Sequence, residues 1–187
     1  MSLPDCRVAC PALKPVVAAL IAVSLFATSA CTVRPLYGDA VVSGGETMAA
    51  ALSAVEVKPV DTRQALEVRN HLIFLLTRGA GQPAGPQWQM ALRVTSRIAS
   101  TATVQVATDN EPSAGTVTMT ASYTLTDAAS GDVVARGKRV ATASFDRARQ
   151  QFATIRAERD AENRAARELA ELLRLALVHD LERGSAQ

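Results

Sequence analysis

Few residues of this chain are equipped for chemistry, so their surroundings decide what they do. Of the cysteines, Cys6 and Cys10 lie in an apolar N-terminal leader and Cys31 directly follows it. Once the leader is removed, Cys31 stands alone and can form no intramolecular disulfide, which leaves the fold to packing. His71 and His179, the only histidines, each sit in an apolar helical run with no second Cys or His at ligand spacing. They read as structural, not as metal ligands or catalytic bases. There is no G-x-S-x-G, and no acid pair in a loop, so no catalytic and no metal residues are expected. What remains is cations and hydroxyls. Arg93, Arg97, Arg136 and Lys138 fall on the polar side of two strands by parity, where they can form one basic patch for phosphate or simply be solvated. Between them in sequence, Thr116, Thr118, Thr120, Ser122 and Thr124 recur at every second position. Such a ladder offers donors and acceptors to a polar partner without demanding fixed charge.

The leader has the parts of a secretory signal in order: Arg7 and Lys14, an apolar stretch from Val16 to Ala27, and the small residues Thr28-Ser29-Ala30. That stretch is short of the ~20 apolar residues a bilayer-spanning helix needs. Thr28-Ser29-Ala30-Cys31 resembles the lipobox of bacterial lipoproteins, with Thr28 where Leu is usual. The resemblance implies that Cys31 is diacylated, becomes the N-terminus and takes a third acyl chain. At ~0.8 kcal/mol per buried methylene, three chains give durable anchoring. Thr32 stands where Asp would imply inner-membrane retention, so an outer-membrane destination is expected. Beyond these acyl groups no cofactor is expected.

Removing residues 1–30 from the 187 leaves 157, enough for one domain with an ordinary core. The leader takes with it Arg7, Lys14 and Asp5, leaving 18 basic against 17 acidic residues. A near-neutral chain argues against nucleic acid as partner. The expected organisation is a signal peptide over 1–30, a lipidated tether over 31–50, a single domain over 51–184 and a short tail over 185–187.

The elements that must position the cations and hydroxyls follow from periodicity. Val55 and Val57 alternate with Glu56 and Lys58, predicting a short strand before Pro59. Asp61 and Gln64 have capping-box spacing, and Leu66, Leu72, Ile73, Leu75 and Leu76 predict a helix over about 62–78. Trp88, Met90, Leu92 and Val94 alternate with polar residues, with weak alternation to Val106 and a turn over 109–115. Val117, Met119, Ala121, Tyr123 and Leu125 then oppose the Thr/Ser ladder, and Val133, Ala135, Ala141, Ala143 and Phe145 share a face that Arg139 interrupts, as a bulge or a snorkelling side chain would. From about Arg147 to Arg183 there is no Gly or Pro, and an apolar stripe from Phe152 and Ile155 to Leu177 predicts a long helix stopped by Gly184. The order β-α-β-β-β-α predicts an α+β, two-layer sandwich, two helices on one face of a four-stranded mixed or antiparallel sheet, with the Thr/Ser face bare.

Three stretches, in this order behind the lipobox, carry a further resemblance: Cys31-Thr32-Val33-Arg34-Pro35-Leu36-Tyr37-Gly38, Val68-Arg69-Asn70-His71-Leu72-Ile73-Phe74-Leu75-Leu76, and Phe152-Ala153-Thr154-Ile155-Arg156-Ala157-Glu158-Arg159-Asp160-Ala161. The chain resembles the LPS-assembly lipoproteins of the LptE family, departing at Thr32-Val33, where many relatives have Gly-Phe. The resemblance implies two helices against a four-stranded sheet, an outer-membrane lipid anchor, an LptD-like β-barrel whose lumen the domain occupies, lipopolysaccharide as a second partner, and no catalysis. It suggests that basic residues touch lipopolysaccharide, without assigning that role to any of the four. A different reading of the same chain is a free periplasm-facing lipoprotein that binds a small lipid or cell-wall fragment between helices and sheet.

Overall fold

The computed structural model describes residues 47–103 and 112–184, all within the unit Asp39–Gln187. The expectations for the leader, Cys31 and most of the tether, and for residues 104–111 and 185–187, lie outside the described residues. In chain order the elements are α1 (Met48–Ser53), β1 (Val55–Val57), α2 (Arg63–Thr77), β2 (Trp88–Thr103), β3 (Pro112–Asp127), β4 (Val133–Asp146) and α3 (Gln151–Gly184). The sheet order is β1-β2-β3-β4, with β1 parallel to β2 and the other pairs antiparallel. The sheet is therefore mixed, and the order β-α-β-β-β-α stands with one short helix added in front.

Both long helices lie on the same face. α2 packs on β1 and β2, while α3 packs on β3, β4 and α2. Between the layers Val55, Val57, Val68, Leu72, Met90, Val117, Met119, Leu125, Leu169, Leu173 and Leu177 are fully buried. Each such side chain contributes about 1.5–3 kcal/mol through burial, which is how a chain without disulfides holds its shape. The small residues Ala161, Ala165, Ala166 and Ala170 are buried along α3, letting that helix approach its neighbours closely.

Sequence and structure part at particular residues. The tether was expected to reach residue 50, but Thr47 caps α1, its Oγ1 accepting from Ala50 N at 3.3 Å, and Met48, Ala51 and Leu52 are buried. A six-residue helix is too short to print a helical period. Thr62, not Asp61, caps α2, its Oγ1 accepting from Ala65 N at 3.2 Å. The turn expected over 109–115 extends too far, because β3 already begins at Pro112. Gly115 is a strand residue because the Phe145 ring lies across it, and a Cβ there would meet that ring at 2.5 Å. Arg139 stays in register opposite Ala121 with its Nη1 donating to the Lys138 carbonyl at 2.8 Å, so no bulge forms there. The shift falls instead around Val134, between the pairs Leu125 with Ala135 and Thr126 with Val133, and it leaves Val133 exposed rather than packed. Phe152 and Ile155 are exposed too, because no residue of α3 before Ala161 is buried.

One polar cluster ties the two long helices together and another ties helix to sheet. Glu162, nearly buried on α3, accepts from Arg63 Nη2 at 2.5 Å and from Gln64 Nε2 at 3.0 Å, both at the start of α2. Near the other end of α3, Asp180 accepts from the buried Tyr123 hydroxyl at 2.5 Å and from Arg183 Nη2 at 2.6 Å. Burial and this hydrogen bond push the Tyr123 hydroxyl well above its ordinary pKa. The β3–β4 hairpin closes on Asp127, whose Oδ1 accepts from Ser130 N and Ala129 N; these bonds hold its carboxyl below the usual carboxylate range.

Candidate functional site

Strand pairing assembles the cations and hydroxyls row by row on the face away from the helices. One row reads Ala91, Thr124, Arg136; the next Arg93, Ser122, Lys138; then Thr95, Thr120, Val140; then Arg97, Thr118, Thr142; and last Ala99, Thr116, Ser144. Because alternate side chains point to opposite sides, all of these oppose the buried set Val117, Met119, Ala121, Tyr123 and Leu125. The structure thus brings Arg93, Arg97, Arg136 and Lys138 onto one face, flanking the ladder of Thr116, Thr118, Thr120, Ser122 and Thr124.

The spacing suits phosphate. Arg93 and Lys138 stand either side of Ser122, two strand spacings or about 10 Å apart at Cα, and Arg136 lies one row along, about 7 Å away. Long flexible side chains from such positions can converge on one anionic group. All four cations are exposed, and none is drawn into an ion pair among the described residues. The carboxylates of this face, Glu56 beside Gln89 and Asp146 beside Ala114, stand at its opposite ends. The centre therefore carries uncompensated positive charge, which attracts anions over several ångströms.

The face also divides along its length. The three cations Arg93, Arg136 and Lys138 occupy adjacent rows, whereas beyond Val140 the side chains are mainly hydroxyls, with Thr116 Oγ1 3.4 Å from Ser144 Oγ. Thr142 and Ser144 were missed in the sequence, although the parity that places Arg136 and Lys138 on this face places them there as well. His71 pairs with Glu67 at 3.1 Å on the outside of α2, and His179 is exposed on α3. Among the described residues no three His, Cys, Asp or Glu side chains are grouped to hold a metal ion. No described helix is long and apolar enough to cross a membrane.

A second feature was not legible in the pattern. A groove of about 300 Å³ runs between Pro59–Thr62 with Ala65 on one side and Leu92–Thr95 of β2 on the other. It lies at the edge of the sheet rather than between the layers, whose interior is filled by the buried side chains described above.

No curated protein matches the chain by sequence. Among solved structures, a chain described as a lipoprotein of Caulobacter crescentus CB15 superposes with a TM-score of 0.57 at 25% identity, over 71% of this chain and 93% of that one. A minor lipoprotein of Acinetobacter baumannii matches at a TM-score of 0.46 and 12% identity, over 67% of this chain and 91% of its own. The rare lipoprotein B of Shewanella oneidensis matches at 0.48 and 8%, over 67% and 92%. The family model LptE, lipopolysaccharide-assembly, matches residues 52–177, a span that takes in every element from the end of α1 to the last turns of α3, and the chain belongs to the LptE family.

Proposed function

We propose that this chain is an outer-membrane lipoprotein, released from a signal peptide over 1–30 and acylated on Cys31, that plugs and helps assemble an LptD-like β-barrel and takes part in moving lipopolysaccharide to the cell surface. It acts by binding, without catalysis or a resident cofactor. Residues 31–46 serve as the tether, the domain begins with α1 and runs to residue 184, and 185–187 form a tail. The family match supports the lipopolysaccharide role, and the observation that carries the mechanism is the row Arg93, Ser122, Lys138 on a bare sheet face.

Lipopolysaccharide presents phosphates, and charge-assisted hydrogen bonds from Arg and Lys are about twice as strong as neutral ones. A sheet fixes the backbone of both cations, so the ordering cost falls only on their side chains. Arg136 and Arg97 extend the patch to either side. The hydroxyl rows suit the inside of a large barrel, whose lumen-facing side chains are mostly polar. The other reading, a ligand between helices and sheet, has no support in the packing, because that interface is occupied by large buried side chains.

The test is capture of the tagged full-length chain from detergent-solubilised outer membranes, with mass spectrometry of what co-elutes. A large β-barrel in near-equal amount is expected; a clean monomer sinks the plug reading. In parallel, Arg93→Glu with Lys138→Glu is expected to weaken lipopolysaccharide binding at least about ten-fold, with a shallower salt dependence, while thermal unfolding is unchanged.

A further inference from the structure

The sheet has three stretches of outer edge, and two of them are protected. On β1, the Gln82 side-chain amide takes both backbone groups of Val57, accepting from its N at 3.2 Å and donating to its O at 2.7 Å. Arg69 Nε adds bonds to the Val57 and Lys58 carbonyls. The β4 edge is interrupted by the register shift around Val134, carries Arg136, Lys138 and Arg139, and has its Ser144 carbonyl covered by Arg164 Nη2 at 2.8 Å. Short strands, bulges and edge charges are the usual means of stopping unwanted strand pairing.

The third stretch is β2 beyond Met90; it carries Arg93 and Arg97 and shifts register only after Ser100, but from Leu92 to Ile98 no described side chain takes its outward backbone groups. The ladder from β1 ends with Lys58 N donating to Met90 O at 3.0 Å; Pro59 has no N–H, and the chain turns away into α2. Since alternate strand residues present N–H and C=O to the same side, the bond at Met90 means that Leu92, Val94, Ser96 and Ile98 present theirs to the open side. No hydrogen bond among the described residues occupies them on that side. Leu92 and Val94 open into the groove walled by Pro59–Thr62 and Ala65, and Ser96 and Ile98 continue the line into solvent.

We propose that this edge accepts an extended segment of the barrel partner as an additional strand in line with β1, an inference that rests on the plug reading above. Donor and acceptor pairs repeating every ~7 Å along one line are matched by another extended backbone. The side-chain surroundings set the guest's pattern. Alternate residues meet Pro59, Val60, Ala65, Leu92 and Val94, which call for small apolar side chains, and the intervening ones meet Arg93 and Thr95, which call for acidic or hydroxyl side chains. Alternation of apolar with polar residues at period two is the pattern of outer-membrane barrel strands, so segments that prolong such strands carry what the groove requires.

The experiment compares amide hydrogen exchange, resolved by fragmentation mass spectrometry, in the full chain alone and co-purified with its barrel. The amides of Leu92, Val94, Ser96 and Ile98 are expected to exchange at least about ten-fold more slowly in the complex, each ten-fold being 1.4 kcal/mol. Ser96→Pro removes an edge-facing N–H without touching the β3 ladder, and Val60→Trp fills the groove from its other wall; each is expected to abolish the added protection at Leu92 and Val94 while the chain still melts normally. A complex in which these amides exchange as in the free chain overturns the inference and leaves the plug reading intact. Added protection that survives both substitutions also overturns it. If the unaltered chain captures no barrel, the plug reading fails and the inference falls with it.

Discussion

At the scale of single residues, β3 and β4 are matched by two glycines that each lie beneath an aromatic ring of the other strand. Phe145 of β4 covers Gly115 of β3, and Tyr123 of β3 covers Gly137 of β4. A Cβ at Gly137 would sit 2.6 Å from the Tyr123 ring, and that ring cannot swing aside, because it is buried and its hydroxyl is held by Asp180. Gly137→Ala is therefore expected to destabilise the domain by about 1–3 kcal/mol in urea titrations. Tyr123→Phe removes the donor from the buried Asp180 and is expected to cost about 1–3 kcal/mol near neutral pH. The pH dependence follows from the raised hydroxyl: its contribution is complete below the ordinary tyrosine value of 10.0 and is lost as pH rises from there toward the folded-state value. Stability measured from pH 9 to pH 11 is thus expected to fall in the unaltered chain, and less steeply in Tyr123→Phe. A slope unchanged by the substitution would contradict the assignment. Neither pairing was legible in the sequence, since alternation shows which face Tyr123 and Phe145 occupy but not which residue lies opposite.

At the scale of elements, alternation revealed most of β2, β3 and β4 and the side of the sheet each cation occupies, because one face is packed and the other wet. Periodicity was less informative where an element outruns its support. Phe152, Ile155, Leu169, Leu173 and Leu177 read as one stripe, yet only the last three are buried. A helical repeat records which side of the helix is apolar, not how far along its length something lies underneath. Phe152→Ala and Ile155→Ala are accordingly expected to change unfolding free energy by less than about 0.5 kcal/mol each, against about 2–5 kcal/mol for Leu173→Ala. A large loss at Phe152, which is 70% exposed and has Arg156 over its ring at 5.6 Å, would mean that the start of α3 packs against something. Of the two readings of Arg139, a bulge or a snorkelling side chain, the bulge is not found there but near Val134, for a related reason: a charged residue on a packed face looks like a slip in register, but Arg139 folds back onto the Lys138 carbonyl and needs none.

At the scale of the whole molecule, the proposed function asks one sheet face to serve two partners, and its layout offers a way to divide the work. The basic rows around Ser122 suit phosphate, with Arg97 an outlying cation beside Thr118, while the last row, Ala99, Thr116 and Ser144, carries hydroxyls without a cation and suits a polar barrel wall. If the ends act separately, substitutions at each end should separate the two activities. Lys138→Glu reverses a charge at an exposed position and is expected to weaken lipopolysaccharide binding about ten-fold or more, with barrel capture unchanged, since one charge-assisted contact contributes about 1.5–3 kcal/mol. Ser144→Trp places a large ring in the last hydroxyl row, away from all four cations, and is expected to reduce barrel capture while leaving lipopolysaccharide binding by the free chain within about two-fold, because an uncharged substitution there leaves the phosphate contacts in place. Both variants keep the buried face intact, so each should melt as the unaltered chain does. Loss of both activities in either variant, at an unchanged melting temperature, would show that barrel and lipopolysaccharide compete for one undivided surface, and the face would then have to exchange one partner for the other during transport.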